Sequence, residues 1–480
     1  MSSVILAISL LLILVFSWRI FNRQLAHPSI LFTAPFFAAA VNGLLNYERY
    51  QFELRWNTVF LVAGGSLVFS AVCYGIEYAL ATRCSNLLER RSWIRVDNTS
   101  ERNEPLYLPG WAYALGLAIT LGSVYVLVTQ MTSISIANDG PADILGAMRF
   151  VDHISKFTNI DTSFRGLAGH YIALSNATTY MWAYLFARNL FSSERIFDWR
   201  ALALFVVLTI VYFLNGARAG IIQRAIAAVA FLVLFYYQKK RSEGTVPGWK
   251  LFAGLGTIAL AGLLSFEPVL TLLGRNSGTS TGSDYISMYL SAPMKNLDGY
   301  LNNDLYKPVE VTSEKWGEQT FATAYASLSH WEGEDADKKW VEWQPRQWIG
   351  DVSLGNVYTI YYTFAFDWGY FGALVATAVM AAICEMAYLA ATSVHIWKPM
   401  RIKVSVLVYG VIAYGLVFCF YLNFIVKAIV STGFLRIAAV WLIAAAALKI
   451  LEDKKLVALD VPASNRWAAV LYPKIVRKGN

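Results

Sequence analysis

Residues 201–237 read ALALFVVLTIVYFL, then NGARAG, then IIQRAIAAVAFLVLFYY. Two apolar runs with no acidic residue are joined by six residues, Asn215 to Gly220, that carry Arg218 between glycines. A helix needs about 20 apolar residues to cross a hydrocarbon core of about 30 Å, so these short runs place their connection close to the hydrocarbon. The same pattern recurs along the chain and gives eleven candidate spans, at 4–18, 30–45, 58–81, 110–129, 167–190, 201–214, 221–237, 251–273, 357–392, 404–424 and 429–450. With 57% of its 480 residues hydrophobic and 15% charged, and a mean hydropathy of +0.46, the chain is no soluble enzyme. The expected fold is an all-α polytopic membrane protein, one integral membrane domain over 1–480.

The basic residues set the expected orientation. With the N-terminus outside, the inner segments hold Arg19 and Arg23, Arg83 to Arg102, Arg188 to Arg200, Lys239 to Lys250, Lys398 to Lys403, and an inner tail at 451–480. The 40 Lys plus Arg against 32 Asp plus Glu are thereby assigned to a membrane side, and nucleic acid is excluded as a partner. The first span has no basic residue before it and no small-residue cleavage site, so it is expected to be retained. Cys73, Cys84, Cys384 and Cys419 fall outside the outer segments, so no structural disulfide is expected.

Two outer segments have internal order. In 131–165 a helix is expected over Asp139–Phe157 with Pro141 in its first turn, and Ile144, Leu145, Met148, Val151 and Ile154 form a stripe suited to lying on the membrane surface. In 274–355, which carries twelve acids against seven bases, a second helix is expected over 283–305, interrupted near Pro293. Tryptophans 316, 331, 340, 343 and 348 follow. Their faces suit either a glycan platform, with Trp316, Trp331 and Trp343 against sugar rings, or the packing of an extramembrane cap.

Arg218 is expected at the N-terminal end of a helix, where free N–H groups and the dipole favour an anion and the flanking glycines allow close approach. The alternative is an arginine reaching the outer interface. Arg224, deeper in the same run, requires a polar cavity or partner. Arg165 and Arg275 stand at outer span ends level with Arg218, so three guanidinium groups could surround one diphosphate. Glu77, His170, Glu267, Asp367, Glu385 and Arg436 are further polar groups in or beside the membrane. No HExxH, CxxC, Walker or GxSxG motif occurs, and Asp335 and Asp337, beside Lys338 and Lys339, read as a solvated loop; no metal or other cofactor is expected.

Gly216-Ala-Arg218-Ala with its following Gly-Ile-Ile resembles the Gly-x-Arg-Ala-x-Ile-Ile of the Wzy-type oligosaccharide repeat-unit polymerases. Tyr289 to Leu301 leading into the long outer loop, Asn356-Val-Tyr-Thr359, and Asp367-Trp-Gly369 with Gly372 extend the resemblance over most of 167–388. It implies a GT-C-like glycosyltransferase of the bacterial inner membrane with a periplasmic active site, making O-antigen or a related surface polysaccharide. The implied donor and acceptor are oligosaccharides on undecaprenyl diphosphate, with membrane lipid and a chain-length regulator as further partners. Arg218 carries over as the diphosphate-contacting arginine; Asn356, Tyr358, Thr359 and Asp367 match by position. A lipid diphosphate is a good leaving group, so arginines can stabilise its charge in place of a metal. Asp367, Glu318, Asp351 and His330 are candidate bases for the acceptor hydroxyl. An O-antigen ligase and a lipid-linked oligosaccharide flippase are the rival readings.

Overall fold

The computed structural model describes residues 1–83, 105–157, 164, 166–212, 218–243, 245, 254, 282–309, 311–312, 314–325, 344–393 and 401–453. Its helices begin with α1 (Ser2–Ile20), α2 (Pro28–Leu45), the single turn α3 (Tyr47–Tyr50), α4 (Trp56–Arg83) and α5 (Gly110–Ala137). They continue with α6 (Ile144–Phe157), α7 (Gly166–Phe191), α8 (Trp199–Val211), α9 (Arg218–Ser242) and α10 (Gly282–Leu301). After a hairpin of β1 (Gln347–Ile349) and β2 (Val352–Gly355) come α11 (Ile360–Thr392), α12 (Val404–Val417), α13 (Phe424–Ile429) and α14 (Thr432–Asp453).

Seven of these helices, α1, α2, α4, α5, α9, α11 and α14, are long and apolar enough to cross a membrane. The protein is an α-helical, membrane-embedded chain. The expected spans at 167–190, 201–214 and 404–424 overlap α7, α8 and α12, which are not among the seven, and the one at 251–273 lies outside the described residues apart from Gly254. α1, α2, α4 and α11 pack together, as do α5 to α9 with α14. Between the two groups lies α12, in contact with α2, α9, α11 and α14. Apolar on all sides, as a central helix must be, it buries ten of its 14 residues.

The connections sort into two ends. At one, the Ser3 hydroxyl donates to the Phe52 carbonyl (2.8 Å), the Arg55 amide donates to Asp298 (2.7 Å), and Asn296 donates to the Val357 carbonyl (2.9 Å). At the other, the Leu25 amide donates to the Tyr237 hydroxyl (3.3 Å), Gln238 to the Thr392 carbonyl (2.9 Å), and Arg188 to the Arg401 carbonyl (2.5 Å). Each end collects loops that the charge pattern assigns to one side.

Four local expectations are corrected. Helix α6 starts at Ile144, capped by Asp143, whose carboxylate accepts the Gly146 amide at 2.7 Å; Pro141 precedes the helix. Its Met148, Val151 and Ile154 are buried, and α6 packs on α5, so of the expected stripe Ile144 and Leu145 alone are exposed. α10 runs unbroken through Pro293. α11 is broken instead, at Gly369, with φ 72° and ψ −178°, a region open essentially to glycine alone. The described outer segment also contains strand: Ile349 pairs with Val352 across a two-residue turn opened by Gly350 at φ 53°.

Candidate functional site

Arg218 is the first residue of α9, as the Gly-rich connection led one to expect, so its backbone stands at the positive end of a 25-residue helix. Arg224, 4% exposed, lies on the same helix. Its Nη1 donates to the Gly220 carbonyl at 2.5 Å and its Nη2 to the Asn176 side chain on α7. The guanidinium carbon lies 3.5 Å from the centre of the Tyr212 ring, whose hydroxyl is tied to the Ile172 carbonyl at 2.9 Å. Nε of Arg224 is buried and has no acceptor among the described residues. A Cβ on Gly220 would meet Nη1 at 2.9 Å, so this glycine makes the room the guanidinium occupies.

These contacts make Arg224 a cation held by a neutral amide, a carbonyl and an aromatic face, with no carboxylate among its bonded partners in the described residues. A buried charge of this kind needs compensation. Close by, Arg436 of α14 reaches the start of α7: a Cβ on Gly169 would lie 3.5 Å from its Nη1. His170, the next residue, is exposed. Arg224 meets α7 seven residues beyond Gly169, at Asn176.

A second group gathers at the outer segment. Asp367, two residues before the break in α11, accepts the backbone amides of Gln319 (3.2 Å) and Thr320 (2.7 Å). Glu318 accepts the amides of Glu314 (2.9 Å) and Lys315 (3.3 Å). Both carboxylates hold the 314–320 loop. The loop presents Trp316, 72% exposed, whose ring lies 5.2 Å from that of Trp368 and 5.9 Å from that of Phe321. The side-chain amides of Gln319, beside the Tyr362 hydroxyl, and of Gln344 are buried.

Tyr358 is a strut. Its buried hydroxyl donates to the Pro345 carbonyl and accepts from Gln347, both at 2.9 Å, and burial pushes the phenol pKa up. Asn356 and Asp351 are exposed at the ends of the hairpin. Arg165, Arg275, His330, Trp331 and Trp343 lie outside the described residues, as does the side chain of Arg218.

Sequence reading missed three things. Gln319 and Gln344 carried no motif. Asn176, one of several polar residues on α7, gave no sign of reaching Arg224. Finally, His27, Glu77 and Glu385 come together with the spacing of metal ligands, from three helices far apart in sequence where no local motif can exist. No family model, curated protein or solved structure matches this chain.

Proposed function

We propose that the protein polymerises oligosaccharide repeat units carried on a lipid diphosphate, with the site on the outer face of a bacterial inner membrane and a GT-C-like arrangement of about eleven spans. The observation that carries this reading is Arg224, buried on α9 six residues after Arg218, the first residue of that helix, and without a carboxylate among its bonded partners in the described residues. A diphosphate at the head of α9 would meet free backbone N–H groups, the helix dipole and two guanidinium groups. Those positive groups complement the negative charge that a departing lipid diphosphate develops as the bond from its oxygen to the anomeric carbon breaks.

An acceptor hydroxyl attacks that carbon from the opposite face and its proton passes to a base. Asp367 and Glu318 serve this reading as loop-holding groups that keep Gln319 and Trp316 in place. The exposed Trp316 face and the buried amides of Gln319 and Gln344 supply the pairing of apolar surface and amide that pyranose rings require. Donor and acceptor are both lipid-linked units, undecaprenyl diphosphate being the carrier the resemblance implies, and a chain-length regulator is the expected protein partner.

The test is purified protein with a lipid-diphosphate repeat unit as the sole glycan. A ladder of polymers is the expected product. Transfer only to an added lipid A core would make the protein a ligase. Passage of the unit across proteoliposomes without a new glycosidic bond would make it a flippase.

A further inference from the structure

At the end of the bundle opposite the outer segment, His27, Glu77 and Glu385 face one another from the start of α2, the last turns of α4 and the second half of α11. His27 Nε2 lies 3.3 Å from Glu385 Oε2 and 3.6 Å from Glu77 Oε1, and one donor atom from each residue lies within 4.8 Å of the others. The imidazole is held in place, stacked at 3.6 Å on Phe21 and edge-on at 5.0 Å to Tyr388.

These groups satisfy one another only loosely. Among the described residues neither oxygen of Glu385, 0% exposed, nor Nε2 of His27, 1% exposed, makes a hydrogen bond of good geometry, although the Cys73 thiol and the imidazole stand beside that carboxylate. An ionised carboxylate so placed requires a cation. The two distances exceed those of good N–H···O bonds, about 2.7–3.2 Å. They match the ligand-to-ligand edge of a tetrahedral zinc site, about 3.3–3.5 Å when bonds are about 2.0–2.2 Å.

We infer that His27, Glu77 and Glu385 form a binding site for one divalent transition-metal ion, Zn²⁺ by its ligand chemistry. Two carboxylates and a dication sum to zero charge, which suits a membrane interior. The imidazole ligand disfavours Mg²⁺ and Ca²⁺, which prefer oxygen alone. Coordination through Nε2 places the imidazole proton on Nδ1 and so gives up the bond from the Ser29 amide to Nδ1, a long one at 3.3 Å. Glu77, 27% exposed, is the ligand through which the ion enters, and water completes the fourth position. Such an ion fastens α2, α4 and α11 to one another. This site is independent of the proposed glycosyl transfer.

The experiment uses the full-length chain in detergent with its affinity tag removed, equilibrated with Zn²⁺, desalted, and read by elemental analysis and thermal unfolding. Wild type should retain about one Zn²⁺ per chain, and chelation should lower the Tm, with recovery on adding Zn²⁺ but not Mg²⁺. His27→Gln and Glu385→Gln should retain less than about a tenth of that metal. Should either fail to fold, Glu77→Gln, at the more open position, should fold and lose zinc at a lower chelator concentration than wild type. Wild type without zinc after equilibration, or all three variants with wild-type zinc retention, would overturn the assignment. In the first case the cluster is a carboxylate pair neutralised by protons.

Discussion

Gly220→Ala probes the site without removing a charged group. The added Cβ would lie 2.9 Å from Arg224 Nη1, against 3.4 Å for an ordinary contact, so the guanidinium must yield by about 0.5 Å. It has little room to do so: Tyr212 covers one face at 3.5 Å, and Asn176 and the Gly220 carbonyl hold its nitrogens. Alanine in place of glycine favours the helix by up to about 1 kcal/mol. Weakening one hydrogen bond of a charged group costs about 1.5–3 kcal/mol, so net destabilisation should stay below about 2 kcal/mol. Catalysis should suffer more, because misplacement by 1 Å can cost about 10²-fold; half of that distance should cost roughly 10-fold in rate. The assay is polymer formation from lipid-diphosphate units beside thermal unfolding of the same preparation. In an Arg224→Ala background the added methyl has nothing to displace, so its effect on rate should vanish. A Gly220→Ala enzyme as fast as wild type, or one slowed equally in both backgrounds, refutes the reasoning.

Three further outcomes follow from particular residues. Gly369→Ala should destabilise by about 1–3 kcal/mol, all of it conformational since a Cβ there meets nothing within 4 Å; Gly75→Ala, equally open and without the positive φ, is the control, and equal Tm values for the two would contradict the break in α11. Burial pushes the Lys403 amine down to about 8, so its acylation, followed by peptide mass spectrometry, should have a midpoint near that pH rather than above 10. The unfolded chain then binds more protons from pH 8 to about 10.4, and this group's contribution to stability rises with pH across that window. Trp316→Ala, at a ring 72% exposed, should leave the stability within about 0.5 kcal/mol of wild type while shortening the polymer ladder; an unchanged ladder would reduce the ring to a packing role.

Much of the bundle was legible in hydropathy, because lipid forces every spanning backbone into a helix and leaves an apolar run of fixed length as its trace. The sorting of loops into two ends was legible in Lys and Arg. What escaped depended on context that composition does not carry. Gly369 sits in a run that reads as continuous span, and only its φ of 72° separates it from a tolerated helix glycine. Pro293 signals a break, yet α10 continues through it. The hairpin at Gly350-Asp351 had a two-residue turn signature that the surrounding aromatic and acidic residues obscured. Arg218 stands at the head of α9, where the glycine-rich sequence around it places a helix start. His27, Glu77 and Glu385 lie on three separate helices and meet only through packing, so no pattern search along the chain can assemble them.

The central claim is that guanidinium groups at the head of α9 stabilise a departing lipid diphosphate. The most direct measurement is the rate of polymer formation by purified Arg218→Lys and Arg218→Ala, loaded with Zn²⁺ and assayed with and without Mg²⁺ or Mn²⁺. Lysine keeps the charge but loses the planar fork, so both variants should fall by roughly 10²–10³-fold, with no effect of the added ions on wild type. Near-normal polymer from Arg218→Ala, or a wild-type rate that depends on Mg²⁺ or Mn²⁺, would contradict the account.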